Sequence, residues 1–184
     1  MSEAGEGQKL RLFVACEPPA EVLEAIRDWQ RRALAGREGV RLNAALHITL
    51  CFLGSLEEAR VETLEEALAG VRFSAPRLSA SEALFLPQRG AKRVVALRVE
   101  DPSGGLASLQ SAVSARLAAT RLYEAERRAY HPHITVARYR RPGQPFSLQN
   151  VNIPEFGVDR FSLYSSLLER AGAVHTPLAD FPAS

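Results

Sequence analysis

The polar residues with the clearest chemical meaning in this chain come as a repeated trio. Leu46-His47-Ile48-Thr49-Leu50 is answered, much later, by Tyr130-His131-Pro132-His133-Ile134-Thr135-Val136. Both segments are apolar or β-branched around the polar pair, so both read as buried strands. Residues two apart on a strand share a face. Each segment therefore aims an imidazole and a hydroxyl one way and its isoleucine the other. Two such strands set against each other would line a cleft with His47, Thr49, His133 and Thr135. A single His-x-Thr reads as a structural pair, whereas two, each in a compact apolar strand, point to a site.

Imidazole changes charge near neutrality, at an ordinary pKa of about 6.5. With one ring neutral and the other protonated, one can take a proton from water while the other gives one to a leaving oxygen. That division of labour suits displacement at phosphorus, with the threonine hydroxyls donating to non-bridging oxygens. Arg138, five residues beyond His133, is the candidate cation for the phosphate. Its odd offset puts it on the wrong face of a regular strand, so the role requires a bulge, a twist or a strand end. A metal is the rival use of histidine, and His131 shares the parity of His133. Neither motif, however, has a carboxylate or cysteine at ligand spacing, so no metal is expected. His175 reads as structural. Cys51 shares the parity of His47 and Thr49 but reads as core packing. The clusters Arg127-Arg128 and Arg138-Arg140-Arg141 read as solvated surface, with RNA phosphates as the alternative.

The elements that must hold these strands follow from periodicity. Leu10–Cys16 alternates Leu10, Leu12, Val14 and Cys16 against Arg11, Phe13 and Ala15, which predicts a strand. Pro18-Pro19 opens a helix with a stripe of Val22, Ile26, Trp29 and Ala33, fading near Gly36. The first motif strand is expected over Leu46–Leu53, ending at Gly54, with Ser55 and Glu58 as a capping box. Val61, Leu64, Leu68 and Val71 then mark a second helix. Strands are predicted over Phe73–Leu86 and Arg93–Glu100 about a turn at Pro87–Gly90. A third helix carries Leu106, Leu109, Val113 and Leu117. After the second motif strand come a loop over Arg140–Pro145, a long strand over Phe156–Leu168, a turn at Gly172 and a short strand near Val174–Leu178. Strands mixed with three amphipathic helices predict an α+β, largely antiparallel fold.

Bulk properties narrow the class. At 184 residues, with 46% hydrophobic and 24% charged residues, the chain is long enough for a proper core in one domain over residues 9–184, behind a disordered tail of residues 1–8. A net charge of +2 does not announce nucleic acid, and of the 23 basic residues all but Lys9 and Lys92 are arginine. No apolar run approaches the ~20 residues of a membrane span, so no membrane contact is expected. Met1–Gln8 lacks the apolar core of a signal peptide. Two cysteines without ligand spacing fit a reduced, cytoplasmic protein, and a monomer is expected.

On these residues the chain resembles the two-histidine (2H) phosphoesterases, specifically the RNA 2′,3′-cyclic phosphodiesterase family historically called 2′-5′ RNA ligase or LigT. The tandem H-x-T-x signature is matched by His47-Ile48-Thr49-Leu50 and His133-Ile134-Thr135-Val136. Arg11-Leu12-Phe13-Val14-Ala15 with Pro18-Pro19, and Leu50-Cys51-Phe52-Leu53-Gly54, are similar to the family's neighbouring text. So are Tyr130-His131-Pro132, Arg138 and the closing stretch Leu163–Gly172. The chain departs from the pattern at Arg41–Ala45, which lacks the usual Trp and Pro, and at His175, where an aromatic is common. The resemblance implies a bilobal, pseudo-two-fold α+β fold, with two mostly antiparallel sheets flanking a central cleft, helices outside and the two lobes intertwined. It implies metal-free hydrolysis of RNA 2′,3′-cyclic phosphate ends, on substrates such as tRNA fragments, to 2′-phosphomonoesters. In that scheme His47 is the proton donor to O3′, His133 the proton acceptor from water, and Arg138 and Tyr130 bind substrate. No cofactor is implied. Some members also form 2′-5′ linkages without ATP, and the sequence has no G-x-x-x-x-G-K phosphate loop. Two alternatives stand beside this reading: an RNA-end-binding module without significant catalysis, and a phosphodiesterase for another cyclic nucleotide or an ADP-ribose cyclic phosphate.

Overall fold

The computed structural model describes residues 8–169 and 172–184. Apart from Gln8, the expected N-terminal tail lies outside them. The strands are β1 (Lys9–Cys16), β2 (Val40–Leu42), β3 (Ile48–Glu57), β4 (Arg77–Leu86), β5 (Lys92–Glu100), β6 (His133–Gly143), β7 (Phe156–Gly157), β8 (Arg160–Glu169) and β9 (Gly172–Pro182). The helices are α1 (Ala20–Leu34), α2 (Val61–Ala69) and α3 (Gly105–Ala119). The described strand pairs are all antiparallel. The architecture is thus α+β, as the periodicities predict. No described helix is long and apolar enough to cross a membrane.

Strand order is β7-β4-β5-β6-β3-β1-β8-β9, with β2 added beside β6. The two strands carrying the His-x-Thr trios are therefore central neighbours. They meet through one bridge, Ile48 opposite Ile134, and both isoleucines are fully buried. Burying each contributes roughly 1.5–3 kcal/mol. On one side of this junction lie β3, β1, β8 and β9, and on the other β6, β5, β4 and β7. Between β7 and β8 only Val158 and Asp159 intervene, yet these strands stand far apart in the strand order. Two residues span at most about 10 Å between flanking Cα atoms. The sheet must therefore curl until its two halves approach. This is why the long strand expected over Phe156–Leu168 is broken: Phe156 pairs with Leu78 of β4, whereas Ser162 pairs with Ala15 of β1.

The helices pack their apolar stripes into the core. α1 buries Val22, Ile26, Trp29 and Ala33, and α3 buries Leu106, Leu109, Val113 and Leu117, as their stripes require. The expected capping box does not form. β3 runs on to Glu57, Ser55 pairs with Arg11 in the ladder, and a 3₁₀ turn over Glu58–Arg60 precedes α2, which has no side-chain cap. Gly54, at φ +79°, sits at a bulge instead of ending the strand: Leu12 opposes Gly54 and Phe13 opposes Phe52, leaving Leu53 extra. β9 is also longer than the short strand expected near Val174–Leu178.

One buried polar group ties α1 to the motif strands. Gln30 is 3% exposed, and its Nε2 donates to the carbonyls of Asn43 (2.9 Å) and Val136 (2.6 Å). Asn43 in turn donates through Nδ2 to the carbonyls of Ala45 (2.7 Å) and Thr135 (2.9 Å). These bonds fix the chain leading into His47 against the strand that carries Thr135. Gln30→Leu keeps the bulk but leaves buried carbonyls short of donors. It is expected to lower unfolding free energy by about 1–3 kcal/mol. Denaturant unfolding checks this, and an unchanged midpoint would remove Gln30 from that role.

Candidate active site

The period of two puts His47, one residue ahead of β3, on the same face as Thr49 of β3, and His133 and Thr135 on one face of β6. Continuing the antiparallel register one step to either side of Ile48–Ile134 sets His47 beside Thr135 and His133 beside Thr49. All four line one cavity of about 430 Å³. The sequence-predicted pair of motifs is thus brought together, its histidines at the strand starts and its isoleucines behind them.

Both strands then break parity at the same point. Val14 opposes Cys51 while Ala15 opposes Thr49, so Leu50 is an extra residue in β3. Val95 opposes Ala137 while Ala96 opposes Thr135, so Val136 is an extra residue in β6. Each bulge sends two successive side chains into the core: Leu50 with Cys51, and Val136 with Ala137. The third residue after each threonine returns to the cleft. These are Phe52 in one half and Arg138 in the other, and both line the cavity. Arg138 therefore faces the cleft because β6 bulges, and Cys51 leaves it because β3 does.

The imidazoles are held alike. His133 Nδ1 lies 2.9 Å from the His131 carbonyl, which can only accept, so the proton sits on Nδ1 and Nε2 is left for chemistry. His47 is likewise hydrogen-bonded to the backbone of Ala45, two residues before it. Burial lowers the pKa of His47 from 6.5 to about 4, and the nearby His175, Arg138 and His133 push the same way against the Ala45 bond. The Phe13 ring lies 5.1 Å from it. His47 is thus a neutral imidazole in the ligand-free cleft at pH 7.

Around these rings the cavity is cationic. Arg138, Arg41 and Arg11 line it, and among the described residues it has no carboxylate. Arg41 pairs with Arg138 across β2 and β6, and burial followed by the charges of Arg41 and Arg11 lowers the pKa of Arg138. Three guanidinium groups, two hydroxyls and two imidazoles can together hold and protonate an anionic phosphorus centre. Among the described residues no group of three or more His, Cys, Asp or Glu side chains could hold a metal.

Tyr130 is not among the residues that line this cavity. Its hydroxyl donates to the Thr49 carbonyl at 3.0 Å, and burial, with Cys16 and Cys51 nearby, pushes its pKa up. It clamps the segment entering the second motif to the backbone of the first. His131 contributes its carbonyl while its side chain is exposed. Cys16 and Cys51 are free and buried. Arg127 and Arg128 are exposed, and Arg140 and Arg141 line a different cavity with Tyr139 and Phe146. Residues the motifs did not flag are Arg11, Phe13, Arg41, Phe52 and His175. Arg11 and Phe13 share the strand face opposite Leu12 and Val14, a signal present in the alternation of β1. Arg41 reaches the cleft only through the β2–β6 pairing, which leaves no trace in local sequence.

Known proteins resemble this chain over most of its length. A family model described as the 2′-5′ RNA ligase superfamily matches residues 18–168. An Escherichia coli K12 protein named RNA 2′,3′-cyclic phosphodiesterase is 30% identical over 175 residues, covering 91% of this chain and 93% of its own. An Archaeoglobus fulgidus protein of the same name is 29% identical over 179 residues, covering 94% and 99%. The crystal structure of E. coli LigT complexed with 3′-AMP superposes with a TM-score of 0.82 at 28% identity, covering 96% of this chain and 99% of that one.

The depressed pKa of His47 has a measurable consequence. The folded chain binds this proton less tightly than the unfolded chain does. Its contribution to stability is therefore complete above about pH 6.5 and is lost as the pH falls toward 4. The shift from 6.5 to about 4 corresponds to a loss on the order of 3 kcal/mol. Unfolding measured between pH 7 and 4 is expected to show His47→Gln losing less stability than wild type. Equal losses in the two proteins would place His47 at an ordinary pKa.

Proposed function

The chain belongs to the 2′-5′ RNA ligase superfamily, and from that premise we propose that it hydrolyses RNA ends bearing a 2′,3′-cyclic phosphate to 2′-phosphomonoesters. The observation that carries this reading is the shared cavity: two His-x-Thr pairs crossing at Ile48 and Ile134 beneath three arginines. The names of the E. coli and A. fulgidus relatives support the substrate class. The cyclic phosphate sits between the imidazoles, its non-bridging oxygens accepting from Thr49, Thr135 and Arg138. His133 takes a proton from water at Nε2, the water oxygen bonds to phosphorus, and the P–O3′ bond breaks. His47 delivers its proton to O3′, leaving a 3′-hydroxyl and a 2′-phosphate. A 5′-hydroxyl in the place of water would give a 2′-5′ linkage by the same steps, without ATP.

His47 must be protonated to act as the donor, whereas its pKa in the ligand-free cleft is about 4. The substrate's own charge offsets this. A phosphate anion about 5 Å away, at an effective dielectric near 20, stabilises the imidazolium by about 3 kcal/mol. That is on the order of the whole depression. The low pKa in the free protein favours a second reading, in which His47 is the base and His133 the acid.

The substrates we infer are RNA fragments, tRNA fragments among them. Both motifs come from one chain, so a monomer suffices, and residues 9–184 act as one domain of two lobes around a shared core. Two free, buried thiols fit a reducing, cytoplasmic setting.

Incubation with an oligoribonucleotide ending in a 2′,3′-cyclic phosphate, with EDTA present, is expected to yield a 2′-phosphate end. An intact cyclic end, or activity only on another cyclic phosphodiester, would overturn the reading. His47→Ala and His133→Ala are each expected to lower kcat/KM on the order of 10²–10⁴-fold, with folding retained. Arg138→Ala is expected to raise KM, and full activity in that variant would remove it from the site.

A further inference from the structure

A third histidine stands at the cleft, outside the paired-imidazole chemistry. His175 lies on β9 opposite Ser166 of β8. Its ring is edge-on to His47, 5.2 Å away at 89°, and to Phe13, 4.8 Å away at 74°. It lines the arginine-rich cavity and also a larger one, of about 800 Å³, on the other side of His47.

The two ring nitrogens have different surroundings. Nδ1 is buried and has no hydrogen-bond partner among the described residues. The residue as a whole is only half-buried, so the opposite edge, carrying Nε2, is the one that reaches the cavities. Unpaired buried N–H groups are rarer in proteins than under-satisfied acceptors. A proton on Nδ1 would be such an orphan, whereas a bare lone pair there costs less. A charged ring needs protons on both nitrogens, so the same burial opposes the imidazolium. Burial, and after it the charge of Arg138, lowers the ring's pKa in agreement with this. Among the described residues, the titratable and charged groups around the ring are His47 ahead of β3, His133 and Arg138 on β6, Arg11 on β1, Arg41 on β2 and Tyr164 on β8. Across the larger cavity stand Glu17, Asp159, Arg160 and Asp180. The form these surroundings leave is a neutral ring with its proton on Nε2.

Resting on the phosphodiesterase reading above, we propose that His175 is a neutral hydrogen-bond donor, presenting Nε2–H to an anionic oxygen of the phosphate held between His47 and His133. It transfers no proton. A charge on His175 is among the causes that lower the pKa of His47, so a cation in this position works against His47 as an acid. A neutral donor stabilises the anion without that effect. His175 thus adds to the phosphate-binding set a residue that neither His-x-Thr motif contains.

Two measurements test this without relying on hydrolysis. Imidazole ¹H–¹⁵N correlation spectra of the ligand-free protein are expected to show His175 neutral and protonated on Nε2 at pH 7 and above. A proton on Nδ1, or a charged ring at pH 7, would overturn the assignment. Binding of inorganic phosphate, followed by calorimetry, is expected to weaken about 10- to 100-fold in His175→Phe, the range for a hydrogen bond to a charged group. The Phe ring keeps the edge packing, and His175→Gln, which keeps an N–H donor, is expected to bind better than the Phe variant. Phosphate affinity in His175→Phe within two-fold of wild type would show a packing role only. If the cyclic-end assay fails while phosphate binding behaves as expected, the substrate reading falls and the donor role stands.

Discussion

Everything at the cleft depends on one junction, the antiparallel contact of Ile48 with Ile134. It is the bridge that joins β3 to β6, and it brings together two strands that carry the same trio of side chains. Because side chains alternate, burying the isoleucines obliges both histidines and both threonines to face the opposite way. A slip of one residue in either strand would send an imidazole and a hydroxyl into the core and an isoleucine into the cleft. The hydrophobic term that fixes the register is thus the same one that aims the polar groups. Gln30, Asn43 and Tyr130 reinforce it from behind with bonds to the backbone at Asn43, Ala45, Thr49, Thr135 and Val136.

The bulges at Leu50 and Val136 complete the design and also make the halves unequal. Each restores a side chain to the cleft three residues after its threonine, but one half supplies Phe52 and the other Arg138. The same inequality extends to the imidazoles. His47 is packed by Phe13 and His175, whereas His133 opens β6 beside the arginines. A pseudo-symmetric scaffold therefore offers two chemically distinct imidazoles, as the proposed acid–base mechanism requires.

Much of this was legible in the sequence. The trios, the parity of their side chains and the three helical stripes need only local periodicity, and the structure follows them. The odd offset of Arg138 required a strand end, a bulge or a twist, and β6 has a bulge. What local pattern could not supply was pairing at long range. Gly54 and Ser55 read as a strand end and a helix cap, because a bulge within a ladder has the same composition as a turn. Phe156–Leu168 read as one strand, because its division between β4 and β1 is set by the curl of the sheet. The bond from the Tyr130 hydroxyl to the Thr49 carbonyl has no local signal either, since an aromatic beside a motif does not reveal that its hydroxyl reaches the opposite strand. The place of His175 at the cleft was not legible either, because its neighbours His47 and Phe13 are far away in sequence.

The central claim is that the two imidazoles act in opposition, one giving a proton to the leaving oxygen and the other taking one from water. A 2′,3′-cyclic phosphate whose O3′ is replaced by sulfur tests it most directly, because a thiolate leaves without protonation. Hydrolysis of that substrate is expected to be restored in His47→Ala and to stay impaired in His133→Ala. Restoration of the His133 variant alone would contradict the assignment of roles, and restoration of neither would contradict proton donation to O3′ as the step the cleft is built to assist.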